Sequence, residues 1–530
     1  MRRWRRSPKR RPRSSCSGPI PRPGNSRDFA VVNRKAAVKR APNLFESKVF
    51  PVERIELDGV EESFLRGGRN LFPLLPKALA GISQIGVIGW GSQGPAQAQN
   101  LKESLAGTGV RVAVGLRKGS ESLAEARAAG FSEADGTLGE MFEVIGNSDL
   151  VVLLISDASQ AQLHKRVFES LKPGATLGLS HGFLLAYLET IGERFPANVN
   201  VIAVCPKGMG PSVRRLYEQG REVNGAGINT SFAVEQDLDG RATDVALAWS
   251  VALGAPYTFK TTLKSEVVSD LFGERSILLG AVHGIVEALF HRYLEEGAEP
   301  ADAFNRACES LTGPIRQTIS QHGLVGLDEH LDAGGRRDFR RAYDATYSSF
   351  KGVMAEIYDE VASGNEVTSV VMAAGRFGEY PMTTIEGSPM WTAGADVRRR
   401  RGQLKTGVDG FTAGTFAGAM MAQVDILVEH GHPYSEIANE SIIEAVDSLL
   451  PYMHARGVAY MVDNCSTTAR LGTRKWGPRF QAMLEQVTFP GLKDRDATPD
   501  EMPERFLTHP VHEVLHRLSA MRPAVDIAVK

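Results

Sequence analysis

The chain of 530 residues has few features of a membrane protein or of a small domain held together by disulfides or zinc. No stretch approaches the roughly 18 uncharged apolar residues that a membrane helix needs. The cysteines Cys16, Cys205, Cys308 and Cys465 lie far apart and form no CxxC or zinc spacing. We therefore expect independent, reduced thiols of an intracellular protein. The hydrophobic content of 42% is ordinary for a globular protein, and the length predicts two or three domains.

The first 45 residues contain almost no acids and no long apolar run. They carry 14 Lys/Arg against one acid, Asp28, so their net charge is +13 and that of the remaining chain is −14. A segment rich in Arg, Ser and Pro but without an apolar region is typical of an organellar transit peptide and not of a secretory signal. The alternative is a disordered basic tail that binds nucleic acid or anionic lipid. We predict a leader over residues 1–45, cleaved somewhere in about 25–50.

A dinucleotide-binding loop is predicted near residue 90. An apolar strand from Ile85 runs into the pattern Gly89-x-Gly91-x-x-Gly94, and a helix-compatible stretch from Ala96 follows. The glycines allow a tight turn, a close approach of the backbone to a pyrophosphate, and close packing of helix on strand. Free N–H groups at the helix N-terminus then face the anion. The strand–turn–helix context makes this pattern much more specific than three spaced glycines alone.

The residues after the next strand indicate which nicotinamide cofactor binds. The strand Val110–Leu116 is followed by Arg117, Ser120 and Ser122. An NAD-binding protein usually has Asp or Glu at this point, to bind the ribose 2′-hydroxyl. A cation and hydroxyl groups suit a 2′-phosphate instead, so we predict NADP(H). The alternative is a solvated basic loop.

Strands and helices continue to alternate through residues 50–262. Three further buried-strand patterns are Asp149–Ser156, Gly174–Ser180 and Asn198–Val204. This alternation predicts an α/β, Rossmann-like, doubly wound parallel sheet. Polar residues follow these strands, namely Ser156, His181 and Lys207. Because ligands bind beyond the carboxyl ends of such strands, we expect the three side chains to converge on one site.

From about Leu263 the strand patterns give way to long amphipathic runs, which predict an all-α domain over residues 263–530. The runs are Glu274–Tyr293, Asp338–Ser363, Gly414–His430 and Ser435–His454. The domain also shows a faint internal repeat. Four residues recur 134 positions later as identical residues: Gly280, Gly297, Asn305 and Gly323 match Gly414, Gly431, Asn439 and Gly457. This favours a duplicated helical unit over about 270–400 and 404–530, although four identities could also be chance.

Two pairs of carboxylates stand out in the helical domain. Asp270 and Glu274 are four residues apart, as are Glu440 and Glu444. Each pair therefore shares one helix face, where like charges repel. The flanking residues are apolar, and unpaired buried carboxylates are costly without a cation or protonation. Mg²⁺ binds oxygen ligands and keeps several waters, so a few carboxylates suffice to hold it. The alternative is a solvated acidic face.

Two other polar runs have both a functional and a structural interpretation. Hydroxyls and N–H groups of Asp463–Arg470 could hold a substrate carboxylate, or the run could be a helix cap. The histidines His430 and His432 have a metal-like spacing. A turn at a helix C-terminus is the simpler interpretation of that pair.

Six motifs in order resemble the plant-type, long-form ketol-acid reductoisomerases: GWGSQ, HGF, CPKGMGPSVRR, DLFGER, NESIIEAVDS and DNCSTTARLG. The resemblance covers roughly residues 50–530. A segment from about Gly375 to Gly410, with Arg398–Arg401, is shorter and more basic than expected of plant members. The family converts 2-acetolactate or 2-aceto-2-hydroxybutyrate by an alkyl migration, followed by reduction with NADPH to a 2,3-dihydroxy acid.

The resemblance implies a role for each matching residue. Asp270 would bridge two Mg²⁺ ions, with Glu274 and Glu440 as further ligands and Glu444 in the ligand shell. Glu274 would also exchange protons, Ser466 would bind the substrate carboxylate, and His181 and Lys207 would form the polar wall between nicotinamide and metals. The cofactor would be held by residues of three loops: Gly89, Gly91, Ser92 and Gln93 at the pyrophosphate, Arg117, Ser120 and Ser122 at the 2′-phosphate, and Ser156, Asp157 and Gln160 along the adenosine and nicotinamide.

Two alternatives of other kinds remain at this point. An NADP-dependent β-hydroxyacid or 6-phosphogluconate-type dehydrogenase needs no metal and leaves the carboxylate pairs unexplained. A non-catalytic NADP-sensing protein would tolerate the loss of Lys207 or Glu274, yet both are present. The expected partners are small 2-aceto-2-hydroxy acids, with neither nucleic acid nor membrane, and the family implies a homodimer. Plant-type resemblance favours the chloroplast over the mitochondrion as the destination.

Overall fold

The computed structural model describes residues 40–403, 405–493, 502–521 and 523. Residues 1–39 of the predicted leader lie outside the described residues. Its last residues, 40–45, lie against the first domain. The backbone N–H of Asn43 donates to the carbonyl of Glu61 at 3.0 Å, and its side-chain amide donates to the carbonyl of Lys260 at 2.8 Å. The folded chain therefore begins several residues before the predicted boundary.

Ten strands of the described chain form one sheet, in the order β1-β2-β10-β9-β8-β7-β6-β3-β4-β5. The strands are β1 Val52–Leu57, β2 Val60–Arg66, β3 Gln84–Ile88, β4 Arg111–Leu116, β5 Leu138–Glu140, β6 Leu150–Leu153, β7 Thr176–Leu179, β8 Asn200–Pro206, β9 Thr230–Gln236 and β10 Tyr257–Lys260. The five strands predicted from the sequence correspond to β3, β4, β6, β7 and β8. Each observed strand lies within two residues of its predicted start.

Six strands, β3 to β8, run parallel, and their spatial order is that of a dinucleotide-binding domain. Neighbours β3 and β6 lie at the centre, where the strand order reverses. All residues of β3, β6 and β7 are buried, because helices cover both faces of the sheet. The Rossmann-like prediction is confirmed. Beyond β8 the sheet continues with β9, β10, β2 and β1, through four pairings, of which that between β9 and β10 is parallel and the other three are antiparallel.

The described chain contains the following α-helices. In the first domain they are α1 Leu75–Ala78, α2 Gly94–Ser104, α3 Ser122–Ala128, α4 Met141–Asn147, α5 Asp157–Ser170, α6 Phe183–Ile191, α7 Gly210–Gln219 and α8 Ala242–Leu253. In the second they are α9 Leu263–Arg275, α10 Gly280–Glu295, α11 Pro300–Phe304, α12 Arg316–His322, α13 Val325–Glu329, α14 Ala333–Ala362, α15 Asn365–Arg376, α16 Pro389–Arg399, α17 Gly410–Glu429, α18 Tyr434–Ala438, α19 Leu450–Arg456, α20 Val458–Asn464, α21 Thr467–Met483, α22 Phe489–Lys493, α23 Glu504–Leu507 and α24 Val511–Ser519.

One predicted helical run is divided in the structure. The run Glu274–Tyr293 breaks between α9 and α10, so Glu274 lies at the end of α9. The break is fixed by tertiary contacts, since the N–H of Ile277 donates to the side chain of Gln423 on α17 at 2.9 Å. A side chain at position 280 would lie 2.0 Å from the carbonyl oxygen of Arg275, so the helix restarts at a glycine.

The helices that follow α10 and α17 correspond to each other at the offset of 134. Helix α11 continues through π-helical turns at Asn305–Glu309 and Leu311–Ile315 into α12, which ends before Gly323. Helix α18 continues through π-helical turns at Asn439–Ile443 and Ala445–Leu449 into α19, which ends before Gly457. The four π-helical turns and both terminal glycines fall at matching positions, as a duplicated helical unit requires.

Helices α14 and α17 pack with their backbones in close contact. Side chains at Gly410, Gly414 and Gly418 would lie 2.3, 2.1 and 2.7 Å from carbonyl oxygens of α14. Only hydrogen atoms fit at these three positions, so the two helices approach without intervening side chains. This glycine seam lies at the centre of the helical domain.

Two apolar stretches of the described chain, Leu263–Glu295 and Gly410–Glu429, are long and apolar enough to cross a membrane by length and composition. Of their most apolar windows, 78% and 89% are buried inside the protein. Both contain acidic residues, such as Asp270 and Asp425. Neither stretch is therefore the run of uncharged apolar residues that the sequence analysis required of a membrane helix. Their burial is that of core helices.

Candidate functional site

The glycine loop between β3 and α2 leaves an open space at its centre. Gly89 has φ +110°, and a side chain there would lie 2.7 Å from the carbonyl oxygen of Leu154. A side chain at Gly94 would lie 2.4 Å from the carbonyl oxygen of Gly89, whereas one at Gly91 would meet nothing within 4 Å. The first and third glycines thus serve packing, and the second leaves room for a ligand before the N-terminus of α2. This is the arrangement that a pyrophosphate requires.

The remaining predicted cofactor residues lie on the same edge of the sheet. Arg117 is exposed after β4, Ser120 lies three residues on, and Ser122 begins α3. Ser156 precedes α5, Asp157 begins it, and the amide of Gln160 donates to the carbonyl of Ile155 at 3.0 Å.

Ser92 and Gln93 also hold the glycine loop against the loop after β8. The side-chain amide of Gln93 donates to the carbonyl of Gly208 at 2.8 Å. A side chain at Gly210 would lie 1.7 Å from the carbonyl oxygen of Ser92. The structure thereby gives Gln93 a tethering contact that the sequence analysis did not predict.

His181 and Lys207 follow β7 and β8 and contact carboxylates of the helical domain. His181 Nδ1 lies 3.3 Å from Asp270 Oδ2 and 3.4 Å from Glu266 Oε2. Lys207 Nζ forms an ion pair with Glu440 and lies 3.6 Å from Glu266 Oε1. Lys207, Glu266 and Glu440 are all buried. The carboxyl edge of the sheet therefore meets both carboxylate pairs.

Helix α9 presents three acids four residues apart, Glu266, Asp270 and Glu274. The first is buried, and the side chains of the other two are 23% and 21% exposed. The helix that runs from Tyr434 through α19 presents Glu440 and Glu444, which are both buried. We call these five acids the carboxylate cluster. The prediction that each pair shares one face agrees with this arrangement.

Mutual repulsion and burial raise the pKa of most of the cluster. Burial, reinforced by Asp270, raises the pKa of Glu274 to about 8. Burial also raises the pKa of Glu440 to about 8, although Lys207 opposes the effect. The pKa of Glu444 is raised well above its usual value by burial and then by Glu440. Protons or cations are therefore needed to balance these charges near neutral pH.

His181, Lys207 and Glu266 lie together, and their opposite charges offset one another. Burial tends to raise the pKa of Glu266, but Lys207 and His181 outweigh it and hold that pKa at about 2. Burial opposes the charged form of His181, yet Asp270 and Glu266 raise its pKa well above the usual value. Burial likewise opposes the charged form of Lys207, and Glu440 and Glu266 raise its pKa in the same way.

The unsatisfied oxygens of the cluster fit divalent cations. Oε1 of Glu440 is engaged by Lys207, but Oε2 of Glu440 and Oε2 of Glu444 are buried without a hydrogen-bond partner among the described residues. Such groups are costly unless a cation binds them. A hard cation such as Mg²⁺ takes oxygen ligands of this kind. One ligand atom each from His181, Glu266 and Asp270 also lie within 4.8 Å of one another.

The sequence analysis missed Glu266 as a member of the site. It lies four residues before Asp270, and the recurrence of acids at 266, 270 and 274 could have identified it. Glu266 also joins the two domains, because the N–H of Gly182 donates to its Oε2 at 2.5 Å. A side chain at Gly182 would lie 2.4 Å from the carbonyl oxygen of Leu263, so a glycine is needed there.

Ser466 lies at the start of α21, with Cys465 beside the cluster. Its hydroxyl oxygen accepts a hydrogen bond from the N–H of Ala469 at 3.0 Å. The helix cap that the sequence analysis considered is therefore present, and the hydroxyl hydrogen is left to donate to a ligand. Two residues on, the hydroxyl of Thr468 donates to Asp157 Oδ2 at 2.5 Å. This bond joins the predicted substrate loop to the predicted cofactor loop.

The histidines of the His430–His432 turn belong to the structure of the helical domain. His432 Nδ1 lies 2.9 Å from Glu436 Oε1, and its Nε2 lies 2.9 Å from the hydroxyl of Tyr358. The ring of His430 stacks on that of Tyr358 with centroids 3.8 Å apart. These contacts agree with the interpretation as a turn that ends α17.

Comparisons with known proteins match both domains. A family model described as acetohydroxy acid isomeroreductase, NADPH-binding domain, matches residues 80–258. Another, described as ketol-acid reductoisomerase, C-terminal domain, matches residues 263–403 and 408–489. A chloroplastic ketol-acid reductoisomerase of Spinacia oleracea is 57% identical over 92% of this chain and 83% of its own length. One of Pisum sativum is 55% identical over 92% and 85%.

Among solved structures, an NADH-preferring ketol-acid reductoisomerase from an uncultured archean superposes with a TM-score of 0.53. It is 25% identical to this chain and covers 60% of it, and the match spans 94% of the archaeal chain.

Proposed function

The chain belongs to the ketol-acid reductoisomerase family, and we propose that its carboxylate cluster holds two Mg²⁺ ions for the reaction of that family. The substrates are 2-acetolactate and 2-aceto-2-hydroxybutyrate, and the products are 2,3-dihydroxy acids of valine and isoleucine biosynthesis. One observation carries the proposal. Acids from two helices meet His181 and Lys207 at the edge of the sheet that carries the glycine loop.

The first domain binds NADPH, which supplies the hydride for the reduction. The space over Gly91 and the N-terminus of α2 accommodate the pyrophosphate. Arg117, with Ser120 and Ser122, binds the 2′-phosphate by charge and hydroxyl donors. Thr468 and Asp157 join the nicotinamide side of the cofactor to the substrate loop. These roles follow from position and chemistry, and cofactor-binding measurements on variants test them.

Asp270, Glu274, Glu440 and Glu444 would hold the metal ions. When bound, Mg²⁺ supplies the Lewis acidity that polarises the substrate carbonyl and lowers the pKa of its tertiary hydroxyl. The carboxylate of Glu274 takes the proton of that hydroxyl and gives a proton back to the oxygen of the product. The hydroxyl of Ser466 donates to the substrate carboxylate. The N–H groups of His181 and Lys207 stabilise the negative charge on the substrate oxygens during the migration.

We also propose a location and an assembly for the protein. The spinach and pea relatives are chloroplastic by name, so we place this chain in the chloroplast, with the transit peptide ahead of residues 40–45, which pack on the first domain. A fluorescent protein fused after residue 45 should enter chloroplasts, and one fused to a chain that lacks residues 1–39 should not. The homodimer implied by the family is tested by light scattering of the purified chain.

NADPH oxidation with 2-acetolactate as substrate tests the reaction itself. The purified chain should oxidise NADPH when Mg²⁺ is present and stop when EDTA is added, with recovery after excess Mg²⁺. Oxidation that persists in EDTA would contradict the metal site and favour a metal-independent hydroxyacid dehydrogenase. A folded chain that binds NADPH but never oxidises it with either 2-aceto-2-hydroxy acid would contradict the proposed reaction.

A further inference from the structure

A buried carboxylate outside the cluster, Glu366 on α15, joins two of the helices that build the site. Arg275 Nε, at the end of α9, donates to Glu366 Oε2 at 2.7 Å. From α21, Lys475 Nζ and Trp476 Nε1 donate to Glu366 Oε1 at 2.6 and 3.0 Å. Helix α9 carries three of the five acids of the cluster, and Ser466 caps the N-terminus of α21. Glu366 therefore links the metal side of the site to its substrate side.

Arg275 extends this link to a metal-binding side chain. Its Nη1 donates to Glu274 Oε2 at 3.2 Å and to the carbonyl of Leu271 at 3.3 Å. The side chain is fully buried, and a side chain at Gly472 on α21 would lie 2.8 Å from its Cγ. The glycine thus makes room for Arg275 between the two helices. Because Arg275 holds one oxygen of Glu274, the carboxylate group is fixed in its rotation about the Cγ–Cδ bond.

The charge arrangement argues for a role in positioning and against one in stability alone. Burying two charges costs their hydration, and apolar residues of similar size in place of a buried ion pair often stabilise a protein equally well or better. Here Glu366 receives two cations and an indole N–H, and one of those cations also binds Glu274. Partners beyond a metal ligand fix its orientation, and their loss typically weakens metal binding by about 10–100-fold.

We propose that Glu366 and Arg275 are positioning residues for the metal site. Glu366 holds the guanidinium of Arg275, which orients the carboxylate of Glu274 toward Mg²⁺. Through Lys475 and Trp476 the same carboxylate sets the distance between Glu274 and Ser466. This inference rests on the proposed metal site, so its test measures Mg²⁺ binding directly.

The experiment compares Glu366→Gln with Glu309→Gln in the full chain freed of metal. The substitution Glu366→Gln keeps the size of the side chain, and the new amide oxygen can still accept from Trp476, but the charge that holds Arg275 is lost. Glu309 is a matched control, because it is also buried and receives Arg401 at 2.6 and 2.9 Å in the first helical copy. Isothermal titration with MgCl₂, titration with NADPH, thermal unfolding and steady-state kinetics are measured for each protein.

We expect Glu366→Gln to raise the Kd for Mg²⁺ by about tenfold or more while the Kd for NADPH is unchanged. Glu309→Gln should lower the unfolding temperature without changing either Kd. Arg275→Lys, which keeps the charge but loses the planar fork, should also weaken Mg²⁺ binding. Wild-type Mg²⁺ affinity in Glu366→Gln, or equal weakening in Glu309→Gln, would overturn the inference. A wild-type chain that binds no Mg²⁺ would instead overturn the proposed metal site.

Discussion

The stability of the metal-free protein should fall as the pH rises, and Glu274→Gln should reduce that fall. In the folded chain the pKa of Glu274 is raised from the usual 4.5 to about 8. Between these two values the folded protein holds a proton that the unfolded chain has released. Stability therefore decreases with rising pH across this window and levels off above about pH 8. Glu440, with the same direction and a pKa of about 8, adds to the slope.

The magnitude follows from the same values. A pKa of about 8 instead of 4.5 corresponds to an upper limit of about 5 kcal/mol lost at high pH. The side chain of Glu274 is 21% exposed, so water reduces the cost of burying its charge and also screens part of the repulsion from Asp270. We therefore expect Glu274→Gln to stabilise the metal-free protein by about 2–3 kcal/mol at pH about 9, and by little at pH about 5.

Thermal unfolding in EDTA, measured between pH about 5 and about 9, tests this prediction. The gap in unfolding temperature between Glu274→Gln and the wild type should open as the pH rises. Saturating Mg²⁺ should close it, because a ligand at 100 times its Kd stabilises the wild type by about 2.7 kcal/mol per site. Glu309→Gln serves as the control outside the cluster. Parallel curves for the wild type and Glu274→Gln would refute the argument that burial, reinforced by Asp270, raises the pKa of Glu274.

Three further substitutions test separate parts of the site. Gly91→Ala should fold normally, because a side chain there meets nothing within 4 Å, yet raise the Kd for NADPH at least about tenfold by filling the pyrophosphate space. Arg117→Ala should raise the KM for NADPH by about tenfold and leave that for NADH unchanged, and equal effects on both cofactors would contradict a 2′-phosphate contact. Lys207→Met should lower the free energy of unfolding by about 3–5 kcal/mol and abolish turnover, since Glu266 and Glu440 lose their buried cation. If Lys207→Met leaves the free energy of unfolding unchanged in chemical denaturation, the predicted role of Lys207 is contradicted.

The parts of the fold that depend on neighbouring residues were predictable from the sequence. The glycine loop is specified within ten residues, because strand, turn and helix follow one another directly. The carboxylate pairs were predictable for the same reason, since a spacing of four places both side chains on one face. The motifs of the family then connected these local patterns across the whole chain.

Features that depend on distant contacts were not predictable in this way. The antiparallel extension of the sheet pairs β2 with β10, which is far away in sequence, and no local pattern specifies that register. The break after α9 occurs inside a continuous apolar run and depends on Gln423 of another helix. Glu366 lies in an ordinary amphipathic helix, and only the structure shows that it receives Arg275.

The matching helical units also have a consequence for how the chain can change over time. In an assembly of identical subunits, one mutation alters every copy of a helix at once. Here the two copies are parts of one polypeptide, so each drifts separately. The second keeps Glu440, while the equivalent position in the first holds Arg306, which pairs with Asp409 at 2.9 Å. The first copy in turn keeps Asp270 and Glu274, so selection on chemistry acts on different positions in the two copies, and each can accumulate packing changes where the other carries an acid.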